Sequence, residues 1–215
     1  MRFPVLAVAV TMVAMMSATA GKAVDPTARA PAPVASQAVI SISTKSGSPS
    51  EIRTKDQLER LIHAYDLRRW TFTSAVLIDG ASIPHSHPVL TLHTRHLLDD
   101  DLLLSTYIHE QLHWWLVQRE GSTQAAVADV ERAMGPLPLG YPAGSEDAQG
   151  NYVHVLVAYL EWQAMKSLVG ELRAHQVMQF WAHDHYTAIY TAVLQREREV
   201  QAITRQHGLY PPRPF

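Results

Sequence analysis

Along the chain the apolar positions change their period once. Up to about residue 95 they mostly alternate or come in short runs, with one helical stretch among them; beyond it they recur at helical spacing almost to the C-terminus. In the first part, Ala38 to Thr44 alternates apolar residues with serine and predicts a short strand, and Gly47 to Ser50 predicts a turn. Thr54 predicts the N-cap of a helix reaching Tyr65, with Leu58, Leu61 and Ile62 on one face. Trp70 to Ile78 predicts a second strand closed by Asp79-Gly80. Pro88 to Thr94 predicts a third, with Leu90 and Leu92 on one face and Val89, Thr91 and His93 on the other.

In the second part, Asp99-Asp100-Asp101 supply an N-cap and negative charge where a helix dipole favours it, opening a helix from Leu102 to about Arg119. Further helices are predicted over Ser122 to Met134, Asn151 to Leu168, Glu171 to Ala182 and Thr187 to Gln206. The charged run Arg196 to Glu199 reads as a solvated face, and Pro211-Pro212 ends the last helix. A Gly/Pro-rich stretch, Gly135 to Gly150, is long for a plain connection; it is either a substrate lid or a return path to the 102–119 helix. No internal repeat is visible. Strands first and helices after predict α+β, with a small mixed or antiparallel sheet followed by a mainly helical part around a buried helix.

That buried helix carries the chemistry. Leu104, Tyr107, Ile108, Leu112, Trp114, Trp115, Leu116 and Val117 make it apolar on every side. Set into it is His109-Glu110-Gln111-Leu112-His113. Histidines four apart lie one above the other on a helix and can reach one Zn²⁺, while Glu110, offset by one residue, can act as general base toward a water there. Unpartnered polar groups in such a helix would be costly, so the pentapeptide calls for a partner.

Composition narrows what that partner can be. The chain has 215 residues, 12 His, no Cys and a formal net charge of −2. The length suits one catalytic domain, and the scattered Lys and Arg give no footprint for nucleic acid. Arg2, the apolar run Phe3 to Met16 and Ala18-Thr19-Ala20 read as a signal peptide over residues 1–20, cleaved before Gly21. This predicts a periplasmic or secreted protein with no stable membrane insertion after cleavage. Residues 21–37 read as an Ala/Pro-rich tether, and 38–215 as one domain. Without Cys there is no disulfide and no lipid attachment site, and any zinc site must be built from His, Asp, Glu and water.

A catalytic zinc site needs a third protein ligand. Three residues downstream qualify. His154 and Glu161 stand seven apart on one face of an apolar helix, so both look toward one site, and Asp147 lies in the preceding loop. The motif followed by Glu161 resembles the gluzincin branch of the zincin metallopeptidases, over residues 99–165. Some toxin-type members of that branch carry a Tyr at the position of His154, where it helps stabilise the tetrahedral intermediate. The stretch around Asp147 loosely resembles the aspzincin signature but lacks its Tyr-Gly end. The metzincin pattern is excluded because Leu116 and Arg119 stand where it needs Gly and His, and a deformylase-like site is excluded by the lack of Cys.

The resemblance implies a zincin-like fold and a zinc metallopeptidase acting on peptide or protein substrates. Its zinc ligands would be His109, His113 and Glu161, with Glu110 as base and His154 steadying the oxyanion. It also implies that Pro88 to Thr94 is an edge strand to which extended substrate adds. The same constellation would serve a zinc hydrolase of a non-peptide amide or ester, or remain in a catalytically silent binding domain. Elsewhere, Trp114 and Trp115 read as core and pocket wall, His85-Ser86-His87 as a loop or cleft rim, and His183-Asp184-His185 as a capping or surface cluster.

Overall fold

A computed structural model describes residues 40–212. The signal peptide and tether read from the sequence fall outside that range, as do the first two residues of the strand predicted from Ala38. Strands β1 (Ser41–Thr44), β2 (Ala75–Ile78) and β3 (Leu90–Leu92) form a sheet of order β1-β2-β3. Both pairs are parallel, with Ile42 opposite Val76 and Leu77 opposite Thr91. This corrects the expected mixed or antiparallel sheet. Parallel neighbours require a crossover, and the chain supplies two: helix α1 (Pro49–Ala64) between β1 and β2, and the segment 79–89 between β2 and β3. The one antiparallel pairing among the described residues is an isolated bridge, in which His85 and Thr91 exchange both N–H···O bonds at 3.1 and 2.8 Å.

Helix α1 starts earlier than Thr54 predicts. Ser48 is its N-cap, accepting from Glu51 N at 3.3 Å, and Pro49 opens the first turn, so the predicted turn at 47–50 is the helix start. Trp70 belongs to a short 3₁₀ turn, Arg68–Trp70, and the second strand begins only at Ala75. Buried Glu51 ties these pieces together. Its carboxylate accepts from Ser46 N, Ser46 Oγ and Gly47 N before α1, and from Gly80 N after β2.

The helical part contains α2 (Asp100–Val117), α3 (Glu120–Met134), α4 (Ala148–Val169), α5 (Glu171–Asp184), α6 (Thr187–Gln195) and α7 (Glu197–Gln206). Asp99 caps α2 by accepting from Leu102 N at 3.0 Å. The single long helix expected at the C-terminus breaks at Arg196, whose backbone (φ −122°, ψ 30°) leaves the helical region; its guanidinium pairs with Glu199 at the surface. None of the helices among the described residues is long and apolar enough to cross a membrane.

At the centre, α4 packs against α2, α5 and α6, burying Leu103, Leu104, Ile108, Leu112, Val155, Leu156 and Leu160. Fully burying a side chain of this kind stabilises by about 1.5–3 kcal/mol. Apolar packing alone would let α2 rotate; Gln111 stops it. Gln111 Oε1 accepts from Phe72 N (2.6 Å) and Thr73 N (2.9 Å), and its Nε2 donates to Thr73 O (2.9 Å) and Tyr107 Oη (3.0 Å). The helix is thereby fixed in rotation against the segment leading into β2.

Glu51 makes part of this fold pH-sensitive. The Gly80 N–H leads the groups that hold its carboxyl at about 2, against burial, which opposes them; Ser46 and Ser48 add to the lowering from 4.5. A lowered folded-state value means the stabilisation is complete above about pH 4.5 and is lost as pH falls toward 2. Thermal unfolding of Glu51→Gln is expected to show a lower Tm at neutral pH, and a flatter decline than wild type between pH 4.5 and 2. Parallel declines for the two proteins would remove Glu51 from this role.

Candidate metal centre

The four-residue spacing on α2 stacks His109 and His113 with ring centroids 5.1 Å apart, and α4 brings His154 against both, at 5.6 and 4.9 Å. One ligand atom from each ring lies within 4.8 Å of the other two. Such a triangle contains a point no more than about 2.8 Å from every corner, against about 2.0–2.1 Å for a Zn–N bond, so slight inward rotation of the rings suffices. Two rings already have their outer nitrogen occupied. His109 Nδ1–H donates to Glu161 Oε2 (2.9 Å), and His154 Nδ1–H donates to Gly150 O (2.7 Å) with Ser145 Oγ 3.1 Å away. This leaves Nε2 of each as the ligating nitrogen and fixes the tautomer, the arrangement that metal-ligating histidines adopt. By spacing, orientation and donor chemistry the three residues fit a divalent ion such as zinc.

Glu161, the expected third ligand, lies outside this cluster. Its fully buried carboxylate sits behind His109, accepting from Ser105 Oγ, from Tyr190 Oη (2.8 Å) and from His109; Trp181 Nε1 in turn donates to Ser105 Oγ (2.8 Å). The physical reason is depth. Residues seven apart share a helix face but are separated by about 10.5 Å along the axis, so one ion cannot be at the level of both. His154 stands at the level of the two α2 histidines, and Glu161 stands beyond them. Asp147 is not in the cluster either; it is the N-cap of α4, accepting from Gly150 N at 2.7 Å.

Glu110 is the exception among the polar groups of α2. It is nearly buried, yet among the described residues no donor hydrogen-bonds to its carboxylate. Burial pushes its carboxyl up to about 7, with His109 and His85 pulling the other way. Burial also lowers His113 well below its ordinary value and His154 to about 3, in both cases helped by the charge of His109. Both are therefore neutral imidazoles ready to ligate. His109 moves up: burial works to lower it, but the Glu161 hydrogen bond and charge outweigh burial.

The walls come from segments with weaker sequence signals. His87 stacks on Trp114 (4.2 Å, 23°), and Trp114 Nε1 donates to Ser86 O (2.8 Å), so the 85–87 segment is docked as a rim on the motif helix. Trp115 is core, donating to Leu209 O. Of the 183–185 cluster, Asp184 pairs with Arg95 at the surface, whereas His185 turns inward to stack on Tyr186 (4.0 Å). Tyr186 itself stacks on His154 (4.2 Å) from a left-handed backbone (φ 53°), an unusual conformation for a bulky residue and one that clusters at functional sites. Strand β3 is the sheet edge, as the edge-strand expectation requires. Its outward N–H and C=O at Thr91, however, are already paired with His85, so the exposed backbone there is that of the 84–87 segment.

Sequence reasoning missed Ser105, Trp181, Tyr186 and Tyr190. Only Ser105 left a trace, as a polar residue one turn before His109 on the same buried face. Compared with known proteins, the chain matches no family model, no curated protein and no solved structure.

The geometry separates ligand from orienting group. Zinc titration with a competing chelator is expected to show stoichiometric binding lost in His154→Ala, and affinity lowered about 10–100-fold in Glu161→Gln. The reverse ranking would make Glu161 the ligand.

Proposed function

We propose that this chain is a zinc-dependent hydrolase of peptide bonds, with His109, His113 and His154 holding the ion and Glu110 as general base. The observation that carries this reading is the Glu110 carboxylate: nearly buried, without a hydrogen-bond donor among the described residues, and one residue from a cluster of three imidazoles. A bound zinc ion would supply Lewis acidity toward a substrate carbonyl and lower the pKa of a water molecule.

The residues divide the remaining work. Glu110 takes a proton from the attacking water and returns it to the leaving nitrogen; a carboxyl lifted by burial can do both, where an exposed one would hold the proton too weakly to deliver it. Glu161 keeps the His109 ring in the ligating orientation, and Ser105, Tyr190 and Trp181 keep Glu161 in place. His154 moves from the expected oxyanion role to that of ligand. The order of sheet, motif helix and ligand-bearing helix supports a zincin-like arrangement, with the all-parallel sheet as its departure. The leader-like N-terminus supports action in the periplasm or outside the cell.

Hydrolysis of a non-peptide amide or ester is the second reading. The covered outer edge of β3 at Thr91 favours it, because it removes backbone pairing sites that an extended peptide would use.

Mass-spectrometric analysis of an unbiased peptide library and an ester panel tests these readings with zinc-loaded protein. The wild type is expected to cleave peptides, and Glu110→Gln to retain one zinc per chain while losing about 10²–10⁴-fold in rate. Because the base must be ionised, the rate is expected to rise with pH along an acid limb at or below about 7, the zinc charge drawing Glu110 down from its metal-free position. Cleavage of esters alone would favour the second reading. A wild type that holds zinc and cleaves nothing would leave a silent binding domain.

A further inference from the structure

On the α6 side of the metal centre, aromatic rings follow one another out to solvent. Tyr186 packs tilted against His154 with centroids 4.2 Å apart, His185 against Tyr186 at 4.0 Å, and Tyr141 against His185 at 5.8 Å. Tyr141, the outermost, is 77 % exposed. An exposed tyrosine at a loop tip is ordinary when the loop is loose. This loop is fastened at both ends. Pro142 O and Ala143 O accept the first amides of α6, from Thr187 N (3.0 Å) and Ala188 N (3.1 Å). On the other side, buried Asn151 of α4 accepts from Ser145 N (2.6 Å) and donates to Pro138 O (2.9 Å).

The Tyr186 ring is also held in place, between His154 on one side and His185 on the other, although the left-handed backbone costs energy. The three rings thus form a pre-positioned surface that begins at a metal ligand and ends in solvent. The inner rings are flanked by one another, whereas Tyr141 is open to solvent, and a further ring can continue the series against it edge-on or displaced, a geometry that aromatic side chains favour.

We propose that Tyr141, His185 and Tyr186 form a subsite for an aromatic side chain of the substrate beside the scissile bond. This rests on the peptide-hydrolase reading for its context, but the ring surface exists without the metal and binds without turnover. Stacking of this kind discriminates by several-fold to about tenfold over a methyl side chain.

The test is a titration of ¹⁵N-labelled protein, metal-free and zinc-loaded, with N-acetyl-phenylalanine amide and with N-acetyl-alanine amide. The phenylalanine probe is expected to shift the amide resonances of residues 141 and 185–187 in both forms, binding about tenfold more tightly than the alanine probe. Tyr141→Ala, a change at an exposed position, is expected to reduce that preference several-fold, and His185→Ala to reduce it similarly. Equal affinity for the two probes, shifts centred elsewhere, or an unchanged preference in Tyr141→Ala would overturn the subsite. Peptide cleavage profiles form the second arm, with aromatic residues expected to be enriched on one side of the cut. Selective binding of the phenylalanine probe without any peptide cleavage would support the subsite and count against the peptidase reading alone.

Discussion

The buried carboxylate of Glu161 is the point on which the helical part and the metal centre both depend. Taking a carboxylate fully out of water costs several kcal/mol unless donors replace the lost hydration. Ser105 and His109 approach from α2 and Tyr190 from α6, while Trp181 of α5 fixes Ser105 from behind. Four helices therefore meet at one side chain, and removing any donor leaves the carboxylate under-satisfied. The same hydrogen bond that stabilises the fold sets the tautomer of His109, turning its Nε2 toward His113 and His154. The packing of the helices and the placement of the three imidazoles share this one interaction.

Satisfaction of polar groups along α2 isolates the functional one. Ser105 donates to Glu161, Thr106 to Leu102 O and His109 to Glu161, while Gln111 engages all of Phe72, Thr73 and Tyr107. Glu110 breaks the pattern. A nearly buried carboxyl with no hydrogen-bond donor among the described residues is destabilising and relieves that cost by holding its proton more tightly, which is why burial dominates its raised pKa. Among these residues of α2 it is the one whose charge the described structure leaves to its surroundings rather than to a bonded donor.

Much of this was legible in the sequence because it depends on local spacing. The all-round apolar character of 102–117, the cap at Asp99 and the stacking of His109 on His113 follow from helical period alone, and the structure has each. The parallel sheet was not legible: strands this short carry alternation but no direction, and the direction is set by the crossover through α1. Residues His154 and Glu161 show the limit most clearly. Periodicity places both on one face, yet axial depth decides which meets the α2 histidines, and depth depends on how α4 slides against α2. Ser48-Pro49 was a readable helix start obscured by the stronger apolar pattern after Thr54. Tyr186 and Tyr190 carry no spacing signal because their partners lie across the fold rather than along a helix.

The long connection between α3 and α4 takes a different character once its contacts are considered. Its length invites a reading as a mobile lid, but a Cβ on Gly144 would lie 2.3 Å from Pro138 O and 2.4 Å from Asn151 Oδ1. Backbone and side chain there are packed as closely as a core. The next residue, Ser145, presents its Oγ to His154 Nδ1, and Gly150 O accepts from the same nitrogen. Ser145 of the connection and Gly150 of α4 thus hold the His154 ring, as Glu161 holds that of His109. The Ser145 contact ties the connection to His154, so displacing the connection would free that ring to turn.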